Sequence, residues 1–250
     1  MNSRSTSSAS CDGAKLGGPA TITDLLKNVA EGHNQIFPPE IEGAIEDRFF
    51  TVSYGYDYGS PPIWTNGPAF GEGPFVGHRD KERISVTEFP NAKFAVDPEV
   101  RKLVDFYDGK SGYYLISEKL RRLIEELDPG SVDAVRIEFQ EFEADQPYWM
   151  CMPTRVIEAV DTKRTQVSVL FEKYAGRWFR RVNFPDCVVF DHARLKDVSN
   201  FNDIDFIDWQ WSRKLVEAAE GQGIIGQKYS RAGNQLHQRI LPQSIFNNGS

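Results

Sequence analysis

The sequence predicts an α+β protein: a mostly antiparallel or mixed sheet with a few short amphipathic helices, and one strand-helix-strand unit used twice. Three observations carry this expectation. Two serine-led helical stripes, EKLRRLIEEL and RKLVEAAEG, each stand between short apolar runs. The chain between them alternates apolar and polar residues with a period of two. Residues 54–77 are crowded with Gly, Pro and aromatics, where neither helix nor long strand can persist.

The elements follow in order. TITDLLKNVA reads as a short helix, with Thr21 or Thr23 near its cap and Leu25, Leu26 and Val29 on one face. The stretch YGYDYGSPPIWTNGPAFGEGPFVG reads as turns with short extended pieces, and its aromatics (Tyr54, Tyr56, Tyr58, Trp64, Phe70, Phe75) are expected to pack over the core. YYLI is a strand ending at Ser117, the N-cap of a helix whose Leu120, Leu123, Ile124 and Leu127 form one stripe. Asp128-Pro129-Gly130 stops it. In AVRIEFQEFEAD, Val135, Ile137 and Phe139 alternate with Arg136, Glu138 and Gln140, a strand with one wet face; the slip at Glu141-Phe142 marks a bulge or a strand end. PYWMCMPTRVIEAVD, TQVSVLFEKY, GRWFRRVNF and DCVVFD supply further short strands, with room for one short helix.

FIDWQW, Ser212, RKLVEAAEGQG and IIGQKYS then repeat the earlier design. Ser117 matches Ser212, Lys119 matches Lys214, Leu120 matches Leu215 and Ile124 matches Ala219. Within this second unit, GQGIIG at 221–226 is a literal G-x-G-x-x-G. A dinucleotide turn needs that pattern after a strand and before a helix, so that pyrophosphate meets the helix N-terminus. Here the order is reversed, so Gly221 and Gly223 read as a helix stop and Gly226 as the turn into the closing strand. GEGPFVG at 71–77 fails likewise, with Pro74 inside it and no helix pattern after it.

The 250 residues read as a single domain over 19–234, after a Ser- and Gly-rich leader at 1–18 expected to be disordered and before a polar tail at 235–250. With 29 basic and 36 acidic residues the net charge is −7, which argues against a nucleic-acid partner. No apolar run reaches the length of a membrane span, so no membrane partner is expected. Cys11, Cys151 and Cys187 are too few and too scattered for a disulfide framework, which points to the reducing cytoplasm.

No catalytic, cofactor or metal set emerges. Cys151, and Cys187 with His192 and Asp191, supply nucleophile and base types, but no nucleophile elbow or papain-like signature surrounds them. A hydrolase-type site assembled from such scattered residues is the enzyme alternative. His33, His78, His192 and His237 are isolated, and the acidic runs lack the spacing of a calcium loop. What remains are two surfaces that pair carboxylates with aromatics. One is EFQEFEADQPYW, with Glu138, Glu141, Glu143, Asp145 and Trp149; the other is FNDIDFIDWQW, with Asp203, Asp205, Asp208, Trp209 and Trp211. Both are candidates for contacting a basic protein partner, since aromatics concentrate at interface centres and carboxylates steer cations. The alternative is that the aromatics are core, and of Trp209 and Trp211, which alternate with Gln210, at least one is expected there. An adaptor binding some other bacterial protein would use the same faces.

YYLISEKLRRLIEELDPGSVDAVRIEFQEFEADQPYWMCMPTRVIEAVD resembles the first half of a bacterial polymorphic-toxin immunity family, immunity family eleven, formerly a domain of unknown function. FIDWQWSRKLVEAAEGQGIIGQKYS is similar to its closing S-x-x-L-x-x-A…G-x-x-G segment. The likeness covers about residues 113–230, weaker through the Gly-rich aromatic stretch, and rests on Ser117, Leu120, Ser212, Leu215, Gly226 and the central M-P-x-x-V-I-E-A-V-D. It implies a non-catalytic cytoplasmic protein, without cofactor, that binds and neutralises a cognate toxin domain encoded beside it.

Overall fold

The computed structural model describes residues 21–232, apart from 28, 30–33, 70–72, 75–81, 110, 111, 175, 176, 185, 186, 206 and 207. The expected leader and tail lie outside the described residues, as do Phe70, Phe75, Cys11, His33, His78 and His237. Three α-helices lie among the described residues. In α1 (Ile22–Lys27), Thr21 Oγ1 accepts from Asp24 N at 3.2 Å while the Asp24 carboxyl accepts from Thr21 N at 3.2 Å, a reciprocal cap. In α2 (Glu118–Leu127), Ser117 Oγ accepts from Leu120 N at 3.2 Å; in α3 (Arg213–Gly221), Ser212 Oγ accepts from Leu215 N at 3.3 Å. Each helix buries one stripe, Leu120, Leu123 and Ile124 in α2 and Leu215, Val216 and Ala219 in α3. Full burial of one such leucine is worth about 1.5–3 kcal/mol.

Fifteen strands accompany the helices among the described residues: β1 (Asn34–Phe37), β2 (Phe49–Tyr54), β3 (Ile63–Trp64), β4 (Lys93–Ala95), β5 (Phe106–Asp108), β6 (Tyr114–Ser117), β7 (Val132–Arg136), β8 (Glu138–Gln140), β9 (Tyr148–Pro153), β10 (Val156–Ile157), β11 (Val167–Tyr174), β12 (Arg177–Asn183), β13 (Asn200–Asp203), β14 (Trp209–Ser212) and β15 (Gln227–Ser230). One sheet runs β5-β6-β9-β7 and another β10-β13-β14-β2-β15. In the first, β9 lies between β6 and β7 and is antiparallel to both. In the second, β2 lies between β14 and β15 and is antiparallel to both. The repeated unit is therefore a split one: each helix connects two parallel strands that leave a gap, and a strand from elsewhere in the chain fills it. Each unit is also preceded by an antiparallel partner, β5 for β6 and β13 for β14. The sequence match thus extends to a duplicated four-stranded module.

The two modules exchange contacts reciprocally. β9 of the first touches β13 of the second, β2 of the second touches β5 of the first, and α2 packs against α3. Tyr114 and Trp209, equivalent in the two copies, meet with ring centroids 4.8 Å apart, and Trp209 N donates to Tyr114 OH at 2.9 Å. The residue before β5 is Asp105: it is buried, accepts from Ser117 Oγ at 2.6 Å, and takes Ile225 N on its other oxygen at 3.1 Å. Its equivalent before β13 is Ser199, whose N–H donates at 2.8 Å to Asp128, the buried residue that ends α2. The loop leaving each helix therefore grips the start of the other module.

This grip explains the glycines of GQGIIG. Gly223 (φ +64°) ends α3 with Gly223 N donating to Glu220 O at 2.9 Å and Ile224 N to Ala219 O at 2.9 Å, the paired bonds of a Schellman stop that favours Gly. Gly226 (φ +105°) serves a different purpose. A Cβ there would stand 2.5 Å from Val104 Cγ2 and 2.6 Å from the Phe106 carbonyl oxygen, so only glycine lets this loop reach β5.

Two smaller sheets complete the fold, β1-β11-β12 and β3-β4-β8. The main core spans both modules, a second cluster gathers around Phe49, Phe190 and Phe201, and a third around Val167 and Val169. Some expectations are revised. The strand expected through AVRIEFQEFEAD is two strands in two sheets, switching at buried Ile137, and the slip at Glu141 (φ +53°) is a strand end. DCVVFD forms only an isolated bridge, Phe190 with Val160, and no helix lies between β9 and β13 among the described residues. The aromatics of 54–64 divide: Tyr54 is buried and Trp64 packs against Phe89, Phe94 and Tyr113, while Tyr56 and Tyr58 are exposed.

The glycine roles separate by mutation. Gly223→Ala meets nothing within 4 Å and needs only a left-handed backbone, so it should cost about 1–2 kcal/mol. Gly226→Ala adds collisions with backbone and Val104, for an expected loss of about 3 kcal/mol or more. Urea unfolding midpoints of the two variants check this; equal losses would contradict the close-approach account.

Candidate partner-binding groove

The first acidic-aromatic segment builds a loop. Ile137 N donates to Tyr148 O at 3.1 Å, so residues 138–147 leave and re-enter at one point. Inside, Phe139 packs edge-on against Phe142 at 6.1 Å and against Tyr148 at 5.4 Å. Together with Pro90–Lys93, the loop encloses a groove of about 1150 Å³, with Ile137, Phe139, Phe142 and Tyr148 on its lining and Glu138, Glu143 and Asp145 among its charges. Glu138, Glu141, Glu143 and Asp145 are all exposed. Lys93 stands 3.6 Å from Glu138 and Lys102 4.0 Å from Asp145, exposed pairs that contribute little.

Trp149 does not join this groove. Successive residues of a strand face opposite sides, so Tyr148 lines the groove while Trp149 faces α2. Its Nε1 donates to Glu118 at 2.6 Å and the Arg121 guanidinium carbon lies 4.7 Å above its ring. The Arg121 guanidinium, with further hydrogen bonds from Arg122 and Trp149, holds the Glu118 carboxyl down at about 2. Trp149 is half-buried and its donor is already engaged.

The second segment is corrected more sharply. Trp209, Trp211 and Asp203 are fully buried, so they are core and cannot meet a partner in this fold. Trp209 and Trp211 both enter the main cluster, and Trp209 Nε1 donates to Asn200 at 3.0 Å. The Asp203 carboxyl accepts from Ala159 N at 2.7 Å and Asp205 N at 2.8 Å, binding two chain segments together. Asp205 and Asp208 are half-buried. Burial, reinforced by the nearby charge of Asp208, raises the carboxyl of Asp108 to about 7.

Of the candidates for chemistry, Cys151 and His192 are engaged in the fold and Cys187 is half-buried. Cys151 is fully buried and burial pushes its thiol well up, the opposite of an activated nucleophile. His192 Nε2 lies 3.0 Å and 3.1 Å from the two oxygens of buried Glu46, which also accept from the backbone N–H groups of Arg48, Phe49 and Phe190. Asp191 pairs with Arg194 at 3.2 Å. Among the described residues, no group of three or more His, Cys, Asp or Glu could hold a metal ion, and no helix is long and apolar enough to cross a membrane. Phe139, Phe142, Tyr148 and Pro90–Lys93 also line the groove without having been expected there; the first three stand in EFQEFEADQPYW, whereas Pro90–Lys93 reach it only through the pairing of β4 with β8.

The fold is thus a duplicated, mutually clasped α+β module that carries an open groove. The sequence model of the immunity protein family Imm11 matches residues 54–234, and the chain belongs to that family. None of the curated proteins matches the chain by sequence.

Two measurements test the division between core and surface. Trp209→Ala and Trp211→Ala should each cost about 3–5 kcal/mol of unfolding free energy, while Glu143→Ala should stay within about 0.5 kcal/mol. A raised carboxyl binds its proton in the fold at a pH where the unfolded chain has lost it. Asp108 therefore makes stability fall between about pH 4 and 7 and level off above. Asp108→Asn should flatten that slope in urea unfolding and be more stable than the wild type at about pH 8, by roughly 2–4 kcal/mol, with the gap closing toward pH 4.

Proposed function

We propose that this chain neutralises a cognate antibacterial toxin domain by stoichiometric binding, without catalysis. Membership of the immunity family over residues 54–234 carries the reading. The partner is a protein encoded beside this chain, and the encounter takes place in the cytoplasm, where the toxin would act. The groove bounded by Glu138, Glu143, Asp145 and Phe142 is the face that meets it, with Glu141 on the same loop. Trp149, Asp205 and Asp208 lie outside the groove lining. A non-catalytic role is consistent with the fate of the nucleophile and base candidates, since Cys151 is sealed in the core and His192 is held on Glu46.

Co-expression with the toxin domain encoded next to this chain should restore growth, and the two purified proteins should co-elute as a single complex on gel filtration. Cells left unprotected, with no complex on the column, would refute the reading.

A further inference from the structure

We propose that the groove seats a basic, extended segment of the toxin, with its cations set against Glu141 and Glu143 and its apolar stems along Phe139 and Phe142. This rests on the toxin-binding reading above and adds the chemistry of the contact. The first ground is charge. Residues 137–148 contain four carboxylates and no Lys, Arg or His. Glu138 and Asp145 have the weak outside partners Lys93 and Lys102, while Glu141 and Glu143 have no ion pair among the described residues. The left-handed backbone at Glu141 (φ +53°) turns the chain at the crown of the loop, between Phe139 and Phe142. Arg136, on the groove lining beside Ile137, is the opposing charge, exposed and likewise outside any ion pair among the described residues.

The second ground is shape. The groove is open rather than enclosed, and its volume of about 1150 Å³ lies just above the roughly 300–1,000 Å³ of a small-molecule pocket, which leaves room for side chains of a protein segment. The third is the pairing of aromatic floor with acidic rim. Arginine and lysine lay their methylene stems on apolar surface and keep their charge at its edge, and a guanidinium adds attraction over a ring face. Carboxylates at a rim act mainly on the association rate, whereas a buried ring acts on dissociation.

The test follows from that division, using the full chain and the adjacent-gene toxin domain, with association followed by stopped flow over a salt series. Glu141→Asn combined with Glu143→Lys removes the crown charge; Asn suits the left-handed backbone, and both positions are exposed, so circular dichroism and thermal unfolding should match the wild type. Association at low salt should slow about tenfold, with a flatter salt dependence. Phe142→Ala should speed dissociation, and Arg136→Glu should accelerate association several-fold. If the wild-type complex forms but the double variant and Arg136→Glu both associate within about twofold of it, with unchanged salt slopes, the inference is overturned while the toxin reading stands. Absence of any wild-type complex overturns both. Should the double variant fail to fold, Glu143→Gln and Arg136→Glu, tested singly, decide the question.

Discussion

Asp105 is the hinge pin of the molecule. A carboxyl in the interior is tolerated only when its oxygens are occupied, because an unpaired buried polar group costs about 1–3 kcal/mol and a buried charge more. Asp105 meets that demand with groups from both modules: the Ser117 hydroxyl that caps α2, and the Ile225 N–H in the loop that leaves α3. Its backbone is engaged by the same two places, Asp105 N donating to Ile225 O and Ser117 N to Asp105 O, each at 2.9 Å. One residue thereby fixes where the first helix begins and where the second one lets go. Gly226 is the steric complement, since without its missing side chain Ile225 could not come within reach.

The other clasp achieves the same end with different atoms. Asp128 at the end of α2 accepts from Ser199 N and from Arg155, and Asn200 Nδ2 donates to Ser131 Oγ at 2.7 Å. In the register of the repeat, Ser131 occupies the place of Gly226 and Asn200 that of Phe106. One clasp closes by a hydrogen bond between side chains, the other by close approach of backbone. A two-fold arrangement needs matched positions, and the chemistry at each may differ once both modules share one core. The gap of the first module is filled from nearby, by β9 soon after β7, whereas that of the second is filled by β2, which precedes both modules in sequence and so makes the second depend on a distant segment. Long-range pairing of this kind must close large loops before it is rewarded, so the fold is expected to assemble as one unit.

What the sequence made legible was what local chemistry decides. Serine caps, the leucine stripes of α2 and α3 and the glycine stop at Gly223 each depend on neighbours within about a turn. The exclusion of a phosphate turn at GQGIIG followed from the same local order. The insertion of β9 and β2 was not legible, because nothing in a split strand-helix-strand stretch names the strand that fills it. Trp209 and Trp211 show a further limit. Their alternation with Gln210 is the pattern of a strand with one wet face, yet Gln210 is itself buried, its side-chain oxygen accepting from Thr51 at 3.0 Å. A central strand is covered on both sides, and period-two spacing cannot reveal that second cover. Asp203 misled similarly, since a carboxylate in an acidic run usually faces water, whereas this one collects two backbone N–H groups.

The exposed tip of the groove loop stands apart from the clasps. Ser117, Leu120, Ser212, Leu215 and Gly226, which carried the family resemblance, are caps, core and clasp. Glu141, Phe142 and Glu143 lie beyond the end of β8, at the tip of a loop packed by three rings; its base is tied down by Ile137 N on Tyr148 O, Glu118 N on Pro147 O and Gln146 Nε2 on Asp105. Changes at the exposed positions of that loop touch neither Asp105 nor Asp128, so charge and shape there can vary with little cost to folding. On the toxin-binding role proposed above, this separation lets the recognition loop change while the fold stays the same. A recognition surface woven into the clasps would make every change of partner a change in stability, whereas a loop hung from a rigid duplicated core leaves the two properties independent.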